Sequence, residues 1–362
     1  MNKTDYNELY TGKYKSRSAD ILKFWLMPFA MFVFFGFPTA VGEYVQTLSG
    51  FVAPCFFILS GFFILTPNDQ ERRKKLISAV KRYAIMFAIM FAAYLLLNLA
   101  YITYANDNWS WVPEIIRKRT AFEFLLFNVW PFPIGGNIWF VFSLLCASLI
   151  FLIADKLRLL NKPFVFITAF IVLFAFMLTT GEFAKIAGFP YFGYNYIPGG
   201  TITRALPYML LGMIIRRYAN GILNIKRSLF PVFFVIGLAL AGLELYLLKH
   251  FDLFVYAGHT VGFCVMAIAL CCFALSNTNK IESFFAAHGR SYAKRIYYLC
   301  QPVYFFVVFV SRISLPWKSL ADYYWFRNNF GTLITYAVCL LIAFAIGVTR
   351  YVFMQMKRYD GR

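Results

Sequence analysis

Charge is scarce in this sequence, and acidic charge is the scarcer kind. Of the 362 residues only 14% are charged, with 16 Asp and Glu against 35 Lys and Arg. A soluble domain carries about 25% charged residues, so the two or three soluble domains that the length would otherwise suggest are excluded. Histidine is rarer still, at three residues. The seven cysteines, Cys55, Cys146, Cys264, Cys271, Cys272, Cys300 and Cys339, all lie in or beside apolar blocks. None has zinc-type spacing, so no metal site is expected, and an odd number in apolar surroundings gives no disulfide framework. They read as small apolar packing residues. Internal repeats and low-complexity tracts are absent. So is a cleavable signal peptide: residues 1–18 are polar and mixed in charge, and the first apolar block is too long for a signal core.

What the chain has is apolar length. Hydrophobic residues make up 61% and aromatic residues 21%, and the mean hydropathy is +0.64. A bilayer core of about 30 Å needs about 20 mostly apolar residues to span it. Ten blocks fit: 19–41, 49–65, 79–104, 138–154, 163–180, 202–216, 229–248, 255–276, 294–311 and 329–355. Backbone groups cannot stay unpaired in hydrocarbon, so blocks this apolar are helices. The expected fold is an all-α integral membrane bundle of about ten transmembrane helices. Pro28 should bend the first block, and Pro38 falls near its end.

The net charge of +19 does not indicate a nucleic-acid partner, because the basic residues gather between apolar blocks, where anionic headgroups place them. With the N-terminus cytoplasmic, inner segments hold 25 Lys and Arg and outer segments 9. The positive-inside rule and an even helix number then put both termini in the cytoplasm. The organisation expected is a cytoplasmic segment 1–18, a transmembrane domain 19–355 and a cytoplasmic tail 356–362.

Two connections are more than linkers. Residues 105–137 are long and apolar, and their stretch 120–130, too short to span, should lie at the interface or re-enter. Residues 181–201, which include Tyr194 and Tyr196, are rich in Gly, Pro and Tyr, as befits a loop covering a cavity. Trp109, Trp111, Trp130 and Trp139 should sit at the outer headgroup level, as an aromatic belt or as a surface on which a sugar stacks.

Charged and small residues within the blocks are the candidates for chemistry. Asp20 and Lys23 open the first helix at i, i+3 spacing, able to pair or to anchor the helix at the cytoplasmic surface. Ser60 and Gly61 are a small pair on a bulky helix, leaving room for a neighbouring backbone or a substrate chain. Glu71-Arg72-Arg73-Lys74-Lys75 and Lys81-Arg82 suit anionic lipid or the phosphates of a soluble cofactor.

Several stretches, in order, carry a family resemblance. Asp20-Ile-Leu-Lys23-Phe is similar to the Asp-x-x-Arg/Lys start of the first helix in the acyltransferase-3 group of bacterial membrane proteins. Phe56-Phe57-Ile58-Leu59-Ser60-Gly61-Phe62 resembles its Phe-Phe-x-x-Ser-Gly helix, and basic residues ending in Lys81-Arg82 follow. Trp139-Phe140, then Pro207 to Gly212, then Ser291-Tyr292 with Tyr297-Tyr298-Leu299 resemble its later motifs. The resemblance spans roughly residues 18–310. It implies transfer of an acetyl or other short acyl group from an acyl-CoA donor, with no permanently bound cofactor, onto a cell-envelope polysaccharide or lipid-linked sugar. The setting it implies is the bacterial cytoplasmic membrane, with membrane lipid and the glycan as partners. By the same resemblance, Lys23, Ser60, Gly61 and Arg82 serve the donor, while Trp139, Tyr194 and Tyr196 serve the acceptor.

The chain also departs from the family. Where the family places a histidine eleven positions after the first-helix cation, regarded as the general base, this chain has Phe34, about 16 Å along the helix from Lys23. A later family histidine is replaced by Cys300. Glu43, Glu244, His259 and Cys300 are the substitutes considered, with Cys300 a candidate acyl-carrying nucleophile. Two alternatives to an active enzyme follow. One is a degenerate homologue acting by binding, partnering or sensing; the other is a polar-lipid transporter, which should show mid-membrane charge pairs or broken helices in repeated halves.

Overall fold

The computed structural model describes residues 16–36, 40–106, 136–181, 183–188, 200–253, 260–276, 284–314 and 319–360. Among the described residues helix is the only regular secondary structure, and each of the ten apolar blocks contains it. Seven helices are long and apolar enough to cross a membrane: Arg17–Phe35, Tyr44–Ile64, Asp69–Ala100, Ile138–Lys156, Pro163–Thr180, Leu229–His250 and Ala321–Thr349. The protein is a multi-pass helical membrane protein.

The first block is shorter than expected. Helix α1 (Arg17–Trp25) passes through Leu26 into α2 (Met27–Phe35). The interruption falls at Pro28, which has no N–H to return to the preceding turn. Helix α2 stops at Gly36, whose φ of 79° is readily adopted only by glycine, and whose N–H bonds to the Phe32 carbonyl at 2.9 Å. Gly36 therefore ends the helix; Pro38 lies outside the described residues. Helix resumes as α3 (Ala40–Leu48) and runs through a 3-10 turn into α4 (Val52–Ile64).

Three blocks belong to helices longer than their apolar parts. Helix α5 (Asp69–Asn106) begins ten residues before its block, capped by Asn68, whose side chain accepts the Glu71 N–H at 3.1 Å. Helices α6 (Ile138–Lys156) and α7 (Pro163–Thr180) match their blocks, and a short α8 (Ala184–Ala187) follows. A π-helical turn at Thr201–Ala205 leads into α9 (Leu206–Arg217), followed by the short α10 (Ala219–Ile222). Then come α11 (Leu229–His250), α12 (Val261–Leu275), α13 (Phe284–Ser314) and α14 (Leu320–Asp360). Hydropathy marks only the apolar part of α5, α13 and α14. In α5 the extension Asp69–Ser78 is rich in Gln, Glu, Arg and Lys, which are good helix formers.

The chain divides into two compact units, Met1–Ala19 with Thr47–Ile281, and Asp20–Gln46 with Glu282–Arg362. In the first, α4 is the central element, with α9 and α12 packed on it; α11 packs on α12, α7 on α9, and α5 on α6. Small residues make the central crossing possible. A Cβ on Gly61 would run into the Met209 carbonyl, and one on Gly212 into the Ile58 carbonyl, so α4 and α9 touch backbone to backbone. In the second unit α2 packs on both α13 and α14, which pack along each other. Thr332 of α14 donates to the Gly36 carbonyl at 2.9 Å, and Phe35 stacks on Tyr304 of α13 with ring centroids 4.2 Å apart.

Candidate functional site

In the second unit the charges meet at Asp20. Its Oδ1 accepts from Lys23 Nζ at 3.1 Å and from Arg290 Nε at 3.0 Å. One helical turn brings Lys23 to Asp20; Arg290 comes from α13, 270 residues away. The helices approach closely beside the cluster, where a Cβ on Gly289 would lie 2.5 Å from the Asp20 carbonyl oxygen. A carboxylate between two cations makes a partly exposed charge cluster that can meet an anionic or polarised group.

Further along α13, Cys300 is fully buried, its Sγ 3.2 Å from the Tyr297 carbonyl oxygen of the preceding turn. Phe34 is half-buried on α2, with its ring 6.4 Å from that of Phe35, and a phenyl ring accepts no proton. His250 is exposed and stacks on Tyr246. The side chains of Glu43 and His288, and the whole of His259, lie outside the described residues.

In the first unit Ser60 donates to the Phe56 carbonyl of its own helix at 2.8 Å. The space beside Gly61 is taken by the α9 backbone, which is the packing role that small residues suggested. Trp139 opens α6, 6.3 Å from Phe57, and the Arg204 guanidinium lies 5.0 Å over its ring. Arg204 is buried in the π-helical turn, so a cation–π contact shields part of its charge. Arg82 is exposed on α5 and donates to its neighbour Tyr83 at 3.3 Å. Glu244 accepts the Val261 and Gly262 N–H groups at 3.2 and 3.0 Å, capping the positive N-terminus of α12. Tyr194, Tyr196, Trp109, Trp111, Trp130 and the stretch 120–130 lie outside the described residues.

A second charged group joins the ends of α4, α5, α6 and α9. Arg72 on α5 is buried and donates from Nε to Asp155 Oδ1 on α6 at 2.6 Å. Its Nη2 reaches Asn161 Oδ1 at 2.8 Å and Asp69 Oδ1 at 3.0 Å, and Asn161 in turn donates to Asp69. Asp69, Arg72 and Asn161 line a cavity of about 410 Å³, together with Arg216 and Arg217 from the end of α9.

The acyltransferase-3 family model, described as an acyltransferase domain, matches residues 20–352. The chain belongs to this family. No curated protein and no solved structure matches it. As an acyltransferase-3 protein it is a membrane acyltransferase-like chain, and the family implies an acyl donor. The match opens at Asp20, the residue that gathers Lys23 and Arg290.

For this family member, spacing alone exposed the Asp20–Lys23 pair. It missed Arg290, Asp155, Arg204 and the Arg216–Arg217 pair. The available signal was a charge at or just past the end of an apolar block, which marks a residue worth watching without saying what it faces.

Proposed function

We propose that this chain is an active O-acyltransferase, moving an acetyl or other short acyl group from acyl-CoA, reached from the cytoplasm, to a polysaccharide or lipid-linked sugar. The observation that carries the reading is the Asp20–Lys23–Arg290 cluster, a partly exposed charge group within the family match. Lys23, Ser60, Gly61 and Arg82 serve the donor; Trp139, Tyr194 and Tyr196 serve the acceptor, by family resemblance. The architecture is ten membrane helices with both termini cytoplasmic, arranged as a segment 1–18, a transmembrane domain 19–355 and a tail 356–362. The setting is the bacterial cytoplasmic membrane, with membrane lipid as surroundings.

One observation favours a second reading. Phe34 occupies the family's histidine position, and attack of a sugar hydroxyl on a thioester gains about 10²–10⁴-fold from a positioned base. A degenerate homologue would bind the donor without consuming it.

The test is transfer itself. Membranes from a host lacking its counterpart are given labelled acetyl-CoA, and base-labile label is followed into glycan. Label above vector-only and Lys23→Ala membranes is the expected result, and loss on Cys300→Ala would assign that thiol the acyl group. Bound acetyl-CoA without transferred label gives the lead to the degenerate reading.

A further inference from the structure

The cavity beside Arg72 has a charge pattern that the transfer proposal does not use. Its lining includes Arg72, Arg216 and Arg217 against the single carboxylate of Asp69. Arg72 is already held by Asp155 and Asp69, so its charge is fully answered. Arg216 and Arg217 are different. Arg217 is exposed and donates to the Leu160 and Asn161 carbonyls at 3.4 and 3.1 Å. Both are neutral acceptors, and no carboxylate pairs with Arg217 among the described residues. Arg216 is only 6% exposed, lies 5.0 Å over the Phe62 ring, and is close enough to Lys75 for the two cations to repel.

We propose that this cavity binds a phosphate group, carried by a soluble molecule or by an anionic lipid headgroup. Arginine presents a planar fork of N–H donors that matches phosphate oxygens in pairs, and here two arginines from consecutive positions of α9 face the same space. Asn161 and Asn220 on the lining add neutral hydrogen-bonding groups. At about 410 Å³ the cavity lies within the range of small-molecule sites and far exceeds the roughly 30 Å³ share of one water. The phosphate is therefore one part of a larger ligand. The cavity lies at the connections α4–α5 and α6–α7 and at the end of α9, segments that the basic-residue count assigns to the cytoplasmic side.

The experiment uses the full chain in lipid nanodiscs. In one arm ADP is titrated, with adenosine as the control. In the other, phosphatidic acid replaces part of the phosphatidylcholine. Arg217→Gln is the lead variant, because its side chain is exposed and Gln can still donate to the Leu160 and Asn161 carbonyls; its unfolding temperature is checked alongside. Arg216→Lys keeps the charge and removes the fork. Arg73→Gln, exposed and outside the cavity, removes the same charge from the same surface. The expected result is binding of one phosphate probe, weakened about tenfold or more by Arg217→Gln and by Arg216→Lys, with little change in Arg73→Gln. Response to ADP alone identifies a soluble ligand, and response to phosphatidic acid alone identifies a lipid; either upholds the site. The proposal is overturned if neither probe binds, or if Arg217→Gln weakens binding no more than Arg73→Gln. Acyl transfer by Arg217→Gln, followed in parallel, separates this outcome from failure of the transfer reading.

Discussion

Two carboxylates in this protein each accept from an arginine Nε through Oδ1, Asp155 from Arg72 at 2.6 Å and Asp20 from Arg290 at 3.0 Å. The chemistry is the same and the surroundings are opposite. The Arg72 and Asp155 side chains are 4% and 6% exposed, whereas Arg290 is 59% and Asp20 21% exposed. Water screens the second pair and hardly reaches the first. The Arg72–Asp155 pair therefore ties helix ends together, and losing either partner leaves the other with a weaker or absent counter-charge in a buried place. The Asp20 cluster contributes little to folding.

The largest effect should come from breaking the buried pair. Asp155→Ala leaves the buried Arg72 with only the exposed Asp69 as its counter-charge and should cost about 1.5–3 kcal/mol, read as a clear drop in thermal unfolding temperature and in the monodisperse fraction after detergent extraction. A sharper test replaces both partners, Arg72→Met with Asp155→Leu. An apolar pair of similar volume should recover most of the lost stability, and a double variant as unstable as Asp155→Ala would show that the pair is not what holds these helices. Asp20→Ala should shift stability by only about 0.2–1 kcal/mol, while transfer of labelled acetyl groups falls to the level of Lys23→Ala. Smallest of all, Arg290→Ala should leave the unfolding temperature nearly unchanged, because more than half of that side chain is already in water. Should Arg290→Ala destabilise as strongly as Asp155→Ala, the contrast between the two sites would collapse.

Helices within the first unit differ as well in how far they are buried. The window containing α4 is 61% buried, against 17% for α7 and for α11, although all three are apolar along their length. Hydropathy assigned each of them to helix and could not rank them, because lipid and protein interior select the same residue types. What distinguishes α4 is Gly61 against α9, and Ser60-Gly61 was the one local sign of it. Helix ends were less legible. Gly36 stops α2 six residues before the end of its apolar block, charged but helix-favouring residues carry α5 past its block, and α13 and α14 also run past theirs.

The sequence by itself determined that the chain is a multi-pass helical membrane protein, since long charge-free runs have no other way to satisfy their backbone in lipid. Its ordered motifs were also enough to identify the family. The Asp20–Lys23 contact was within its reach because one helical turn separates the two residues. Only the tertiary structure decided that Asp155 meets Arg72 from 83 residues away and that Arg290 meets Asp20 from 270. Only it placed Arg216 and Arg217 on a common cavity with Arg72. The physical reason is range. Local pattern fixes which face of a helix is apolar and which neighbours share a turn, whereas the partner of a charge at a helix end depends on which helices pack together and at what height, and that is set by side-chain shape along the whole interface.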